Sequence, residues 1–399
     1  MRQKKLMLLG GSAQQVVAID TAKRLGYATV LCDYLPDNPG QYHADTFYQV
    51  STTDRAAVLE VAQKEKIDGI VAYASDPAAP TAAYVAERMG LPGNPVDAVE
   101  TLCNKDRFRV FLEKNGFHAP KSGGYAQISD ALVDIDRFSL PVIVKPVDSS
   151  GSKGATVLRS WDKLEEALRF AFSFSRSKRI IIEEYIEKKH PYLIGGDVFV
   201  TEGKICLWGL MNCHRDERVN PLVPVGKSYP LLLDTVDETA VRNTLQRMVE
   251  ALGIRCGAMN VELVVDAAGK VWPIDVGPRN GGNMIPELLS YIFSVDVVEM
   301  TIRAAMGQQI PIINTEGKGC FATHNLHSVR NGCFSDIRIS KELSPYVFRR
   351  NIYKRPGEKV EYFDNAAKAV GIMFLEFQSK DVMMRMLGEI HNHVCVELL

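Results

Sequence analysis

The chain has 399 residues, 46% hydrophobic and 24% charged, with a formal net charge of −1. This length allows two or three domains with sizeable cores. Near-neutral charge offers no global pull toward nucleic acid or anionic membrane, so any anion site must be local, and no apolar run approaches the ~20 residues of a membrane span.

The opening MRQKKLMLLGGS has an apolar run, Leu6–Leu9, too short for a secretory signal and ended by Gly10-Gly11; a buried first strand is expected. Eight scattered cysteines, none in a C-x-x-C, read as the reduced thiols of a cytoplasmic protein. Residues 4–95 alternate apolar strands (KKLMLLGG, YATVLCDY, TFYQV, DGIVAYAS) with amphipathic helices (QQVVAIDTAKRLG, DRAAVLEVAQKEKI, PTAAYVAERMG). That alternation predicts a parallel sheet covered on both faces. The turn GGSAQQ lacks the full G-x-G-x-x-G fingerprint. It reads as a tight strand-to-helix turn whose amides face an anion. A nicotinamide-dependent oxidoreductase, with Asp33 on a ribose, is the weaker alternative.

GLPGNP, residues 90–95, marks a boundary. Two short helices follow in VDAVETLCNKDRFRVFLEKNGF. Residues 120–190 read as a small α/β unit: PVIVKPVDSSGSKGATVLRS, the helix SWDKLEEALRFAFSFS and the strand RIIIEEYI. Strands turning at Glu202-Gly203, the helix DETAVRNTLQRMVEALG and the hairpin NVELVVDAAGKVWPIDVGPR come next. A helix spans IPELLSYIFSVDVVEMTIRAAMG. Residues 316–399 are mostly short strands and a helix, with IHNHVCV as a buried final strand.

Three stretches carry chemistry. VDSSGSKG puts several amides in a loop whose glycines let backbone approach an anion, above the fixed charge of Lys145; it is not a Walker P-loop. IIIEEYIE is a buried strand ending in acid, where Glu183 or Glu184 can accept from an adenine amino group. In the hairpin, a two-residue turn at Ala268-Gly269 sets Glu262 opposite Asp275, with Cβ atoms ~4.5–5.5 Å apart. Opposed carboxylates repel, so a shared proton, an arginine or a metal must compensate. Hard oxygen ligands favour Mg²⁺ completed by phosphate oxygens, and Arg279 follows in a glycine-rich loop. His214 and Arg215 are weaker candidates for touching a carboxylate substrate. Cys320, His324, His327 and Cys333 match no standard zinc pattern.

In this order the parts resemble the ATP-grasp superfamily of ATP-dependent carboxylate–amine or carboxylate–thiol ligases. The layout is similar to biotin carboxylase, the carbamoyl phosphate synthetase large chain, phosphoribosylglycinamide synthetase and the amino-acid ligases. The resemblance covers residues 1–310 strongly and the rest more loosely. It implies an α/β fold: an N-terminal Rossmann-like pre-ATP-grasp domain (1–95), an ATP-grasp domain of two α+β subdomains (96–315, lid about 120–190) and a small C-terminal α+β portion (316–399). ATP would be held by Lys105 of NKDRF, by Lys145, and by the lid residues Ser149, Ser150, Gly151, Ser152 and Gly154. Glu183 would take the adenine amino group, with Glu184, Tyr185 and Ile186 lending backbone; Asp197 or Glu187 would take the ribose. Glu262 and Asp275 would bind Mg²⁺ or Mn²⁺. Lys145, Glu262 and Arg279 would be catalytic.

The chain departs from the family pattern at Asp275 and Asp197, where glutamate is usual, and at Gly277, where many members carry a third metal ligand, asparagine. The resemblance implies an amide-forming, ADP-releasing ligase that works through an acyl phosphate on small-molecule carboxylate and amine substrates. It implies no nucleic-acid or membrane partner, and is compatible with a homodimer. The alternatives are a non-catalytic ATP-binding sensor and carboxyphosphate chemistry like that of biotin carboxylase or carbamoyl phosphate synthetase.

Overall fold

The structure, a computed structural model, describes residues 2–310 and 316–399. The first four strands are β1 (Lys5–Leu9), β2 (Ala28–Asp33), β3 (Thr46–Gln49) and β4 (Gly69–Val71); they are parallel, in the order β3-β2-β1-β4. Alternate residues of β1 feed two cores: Met7 and Leu9 pack with Val30 and Cys32, while Leu6 and Leu8 pack with Leu31 and Ile19. Burial on both faces explains the unbroken apolar run LMLL. Asp33 is committed to this domain. Its carboxylate accepts from Gly11 N at 2.7 Å and Leu35 N at 2.9 Å, so it fixes the turn instead of holding a ribose.

A second sheet is antiparallel, with β5 (Ser122–Tyr125), β6 (Val142–Pro146), β7 (Thr156–Leu158) and β8 (Ile180–Glu184) in the order β5-β8-β6-β7. Val142, Val144, Ile180 and Ile182 pack under Leu164, Leu168 and Ala171 of the helix Leu164–Phe174. Period-2 alternation turns Ile143, Lys145 and Glu183 to the other face.

The remaining strands are β9 (Leu193–Thr201), β10 (Lys204–His214), β11 (Gly226–Tyr229), β12 (Gly257–Val265), β13 (Val271–Gly277), β14 (Cys320–Leu326), β15 (Gly332–Ile339), β16 (Val347–Ile352), β17 (Lys359–Val360), β18 (Gly371–Phe377) and β19 (Val394–Leu398). Eight of them form one antiparallel sheet, β13-β12-β9-β10-β11-β14-β18-β16. This sheet takes β14, β16 and β18 from the C-terminal segment, which therefore extends the central sheet. One face packs on the helix Thr235–Leu252 through Leu245, Met248 and Val249.

Strand β10 continues through Cys213 and His214, so His214 stands on a strand. Two expectations need correction. IHNHVCV is a short helical turn, Ile390–His393, before β19 begins at Val394. The hairpin does not close on Ala268-Gly269. Asp266 pairs with Lys270 around three residues, and its carboxylate accepts from Ala268 N and Lys270 N. A bulge between Glu262 and Leu263 then shifts the register by one, so Glu262 faces Asp275 as expected, by a different route.

Candidate active site

Between the second sheet and the large sheet lies a cavity of about 1200 Å³, roomy beside the ~300–1,000 Å³ of common ligand sites. A second cleft of about 1090 Å³ shares Arg279, but neither Glu262 nor Asp275 lines it.

The large sheet supplies the floor. Register places Asp275, Glu262 and Gly195 side by side on one face, with Asn260 and Gly277 one pair along. Asp275 Oδ2 is 3.7 Å from Lys105 Nζ, and Glu262 Oε1 is 3.6 Å from Arg215 Nη2. The compensation that two opposed acids require is therefore partly cationic. Burial pushes the Asp275 carboxyl up, but Lys105, Lys145 and Arg279 outweigh it and hold it below the usual range. Among the described residues no cluster of three metal-ligating side chains forms. Two carboxylates facing a cavity do fit Mg²⁺, which is bound through one or two carboxylates and completed by phosphate oxygens.

Lys105 opens the helix Lys105–Lys114. Asn104 caps that helix by accepting from Arg107 N, and Lys105 Nζ donates to Ser149 O at 2.8 Å. The roof is the lid loop. Gly151 (φ +65°), Ser152 (φ +61°) and Gly154 (φ +75°) are left-handed, which SSGSKG permits at small cost. Ser149, Ser150, Gly151 and Ser152 line the cavity. Ser152 Oγ donates to Leu222 O at 2.8 Å, tying the loop to the 215–225 segment. Gly154 does not line the cavity; its missing side chain makes room for Pro146 and Phe174.

Lys145 and Glu183 are placed differently from the expectation. Lys145 Nζ lies 2.7 Å from Glu183 Oε2, and Arg109 Nε and Nη2 donate to the same carboxylate at 2.9 and 3.2 Å. Burial alone would raise the Glu183 pKa, but the two cations bring it down to about 2. Glu183 is an ion-pair hub at the cavity wall whose acceptors are already engaged. Arg109 also donates to Ile274 O at 2.6 Å, so it joins the lid sheet to the acid hairpin.

Glu184, Tyr185 and Ile186 line the cavity. Glu184 Oε1 accepts from Ser139 N at 3.0 Å, and Tyr185 N is engaged by Pro141 O at 2.9 Å. Glu187 is exposed and off the cavity wall. Asp197 is also off the wall. It is buried, and its carboxylate accepts from Gly281 N and Asn260 Nδ2, both within 2.9 Å, so it shapes the loop after β13 and is not placed at a ribose site.

Arg279 Nη2 is bonded to Asp76 Oδ2, from the loop after β4. Arg215 lines the cavity but His214 does not; its Nε2 meets Ser228 Oγ at 2.8 Å, and burial first, then Arg215 and Lys227, lower its pKa to about 4. Opposite Cys213, Lys227 is buried with Nζ 2.6 Å from Cys213 Sγ. A side chain at Gly195 would strike both groups, so its absence makes their space.

The model of the carbamoyl-phosphate synthase L chain, ATP binding domain, matches residues 104–313, a little over half of the chain. The chain belongs to this family. It is 26% identical over 303 residues to the uncharacterized protein y4rH of Sinorhizobium fredii, a match spanning 73% of this chain and 61% of that protein. It is 23% identical over 334 residues to the carbamoyl phosphate synthase large chain of Clostridium botulinum, spanning 82% of this chain and 30% of the synthase. Among solved structures, the L-amino acid ligase of Bacillus licheniformis superposes with TM-score 0.84 at 20% identity, and the phosphoribosylglycinamide synthetase of Anaerococcus prevotii with 0.77 at 18%; each covers 100% of both chains. The fold is therefore that of the ATP-grasp ligases.

Against this family pattern, Arg109, Asp76 and Lys227 were not singled out from sequence. Arg109 sits in a helix so charged (KDRFRVFLEK) that periodicity gives no sign of its burial. Asp76 lies in the loop ASDPAAP and Lys227 in the segment 211–230, and which side chain faces the site there depends on strand register.

Proposed function

We propose that the chain is an ATP- and Mg²⁺-dependent ligase that joins a small carboxylic acid to an amine, through an acyl phosphate, with release of ADP and phosphate. The observation that carries this reading is the facing pair Glu262 and Asp275, set under a glycine-rich lid and ringed by Lys105, Arg215 and Arg279 in one large cavity. Mg²⁺ bound at Glu262 and Asp275 would neutralise phosphate charge. Lys105 and Arg279 offer donors to the transferring phosphoryl group. Lys145 lines the same wall and fixes it through Glu183. Arg215 and Lys227 bring positive charge beside Glu262, where the acid must approach the γ-phosphate against like charge. The carboxylate oxygen attacks phosphorus and ADP leaves; the amine nitrogen then attacks the acyl carbon, and phosphate leaves with the bond electrons. The 147–154 loop, tied to Leu222 through Ser152, would keep water from the acyl phosphate.

An amino-acid ligase or phosphoribosylglycinamide synthetase-like substrate pair is part of this proposal, as are a cytoplasmic location and a homodimer. The described residues include no helix long and apolar enough to cross a membrane. The test is ADP release from Mg-ATP against pools of amino acids, hydroxy acids, phosphoribosylamine-type amines and bicarbonate. Release that needs both an acid and an amine is expected. Release with bicarbonate alone indicates carboxyphosphate chemistry, and ATP binding without release from any pool favours a sensor. Glu262→Ala is expected to lower release at least ~10²-fold while the fold persists; a fully active variant would remove Glu262 from the cation site.

A further inference from the structure

Gly277 lies two residues beyond Asp275, on the same face of the hairpin, and lines the same cavity. A Cβ added there would stand 2.5 Å from Asp76 Oδ1 and 3.0 Å from Arg279 Cζ. The first approach is closer than non-bonded atoms come and the second is tight, so the side-chain space at 277 is already taken. An acid brought in from the first domain takes it.

The guanidinium beside this space is only partly satisfied. Arg279 Nη2 donates to Asp76 Oδ2, and Nη1 donates to Asn280 O at 3.0 Å. Nε is buried and has no partner among the described residues. Such a donor is costly unless something accepts from it. The other acids acting on Arg279 are Asp197, already engaged, and Asp275.

The first domain holds the Arg279 loop at a second point, where Gln14 Oε1 accepts from Asn283 N at 2.6 Å. Asn283 (φ +56°) and Met284 (φ +55°) are consecutive left-handed non-glycine residues, a conformation that persists only when its surroundings impose it. Asp76 is itself held: Ala79 N donates to Ser75 O at 3.2 Å and to Asp76 O at 3.3 Å as the helix Ala79–Met89 begins.

We infer that Asp76 is the positioning residue of Arg279, delivered by the first domain into the space that a side chain at 277 would otherwise fill. This rests on the ligase reading of the site. Asp76 draws the guanidinium away from Asp275, so Asp275 stays free for the cation and Nε stays free for a phosphate oxygen. Without Asp76, Arg279 turns to Asp275, and both functions weaken together. The γ-phosphate is the group whose binding depends most on this arrangement.

The test uses the full chain as wild type, Asp76→Ala, Gly277→Asn and the double variant. Two quantities are measured: thermal unfolding without nucleotide, and calorimetric affinity for Mg-ADP and for Mg-β,γ-imido-ATP. Gly277→Asn is expected to lower Tm in the wild-type background and much less in the Asp76→Ala background, because the new side chain finds its space empty. Asp76→Ala is expected to bind Mg-ADP within about threefold of wild type, yet lose roughly tenfold or more of the preference for the triphosphate, the scale of one charge-assisted hydrogen bond. The double variant, whose new carboxamide oxygen can accept from Arg279, should regain most of that preference. Equal Tm losses in both backgrounds, or an unchanged triphosphate preference in Asp76→Ala, overturn the inference. Wild type that binds neither nucleotide overturns the ligase reading itself, an outcome visible before any variant is compared.

Discussion

Two buried lysines face the same cavity from different sheets, and their surroundings are opposite. Lys145, on β6, meets the Glu183 carboxylate at 2.7 Å, and Arg109 completes a closed cluster. Lys227, on β11, is as deeply buried, and among the described residues its hydrogen-bond partner is the Cys213 thiol, with no carboxylate in ion-pair contact. A buried charge without a counter-charge is expensive. The contrast separates a charge spent on holding the walls together from one left open for a ligand. It also changes the reading of Lys145, which sequence alone gave to ATP phosphate and which the structure ties first to Glu183.

The sharpest way to break the comparison is at its closed end. Glu183→Gln leaves Arg109 and Lys145 buried without their acid, and such losses cost about 3–5 kcal/mol. Urea denaturation should show this loss directly. The pH dependence has a definite sign. The folded pKa of about 2 lies below the ordinary 4.5, so the stability due to Glu183 is present above pH 4.5 and is lost as pH falls toward 2. That acid limb should flatten in Glu183→Gln; an unchanged limb would mean other carboxylates produce it. Lys145→Ala, for the same reason, should lower stability as well as turnover.

An acid counterpart of Lys227 gives the next largest effect. Glu287 is buried, its Oε1 has no partner among the described residues, and Tyr73 OH is 3.5 Å from Oε2. Burial raises its pKa to about 7, against smaller opposing pulls from its own backbone, Arg349 and Tyr73. A raised acid favours the folded state while protonated, so this contribution is full below pH 4.5 and is lost as pH rises through 7. Glu287→Gln should be more stable than wild type at pH 8 by roughly 1–3 kcal/mol and nearly equal to it at pH 5. Parallel Tm curves for the two proteins across that range would sink the assignment.

How far these features were legible in the sequence follows from the range of the interactions behind them. Strand–helix alternation and the apolar run of β1 are local patterns, and they located the first domain. The acids of the hairpin were legible because antiparallel pairing is nearly arithmetic, although the turn and the bulge each contributed an error of one residue and the two cancelled. Asp197 was misplaced because its partners are distant in sequence: Asn260 is reached through the pairing of β9 with β12, and Gly281 through the loop after β13. Arg109 and Asp76 belong to the same class. Each closes an ion pair, with Glu183 or Arg279, that periodicity cannot register.

Lys227→Met sharpens the open end of the comparison, and here the expected change in stability is the smallest. Methionine keeps most of the length of the side chain and removes the charge, and buried charges replaced by apolar groups of similar volume are often neutral or stabilising. The urea midpoint should therefore stay within about 1 kcal/mol of wild type or rise. Mg-ADP affinity should hold, because Lys227 pairs with Cys213 in the sheet and is separated from Asp275 by Gly195 and Glu262. What should change is the response to the acid: the concentration needed for ADP release should rise roughly tenfold or more, as when a charge-assisted contact to a carboxylate is removed. A variant destabilised as severely as Glu183→Gln would place Lys227 with the closed cluster, whereas a stable variant with an unchanged acid requirement would move substrate recognition to Arg215.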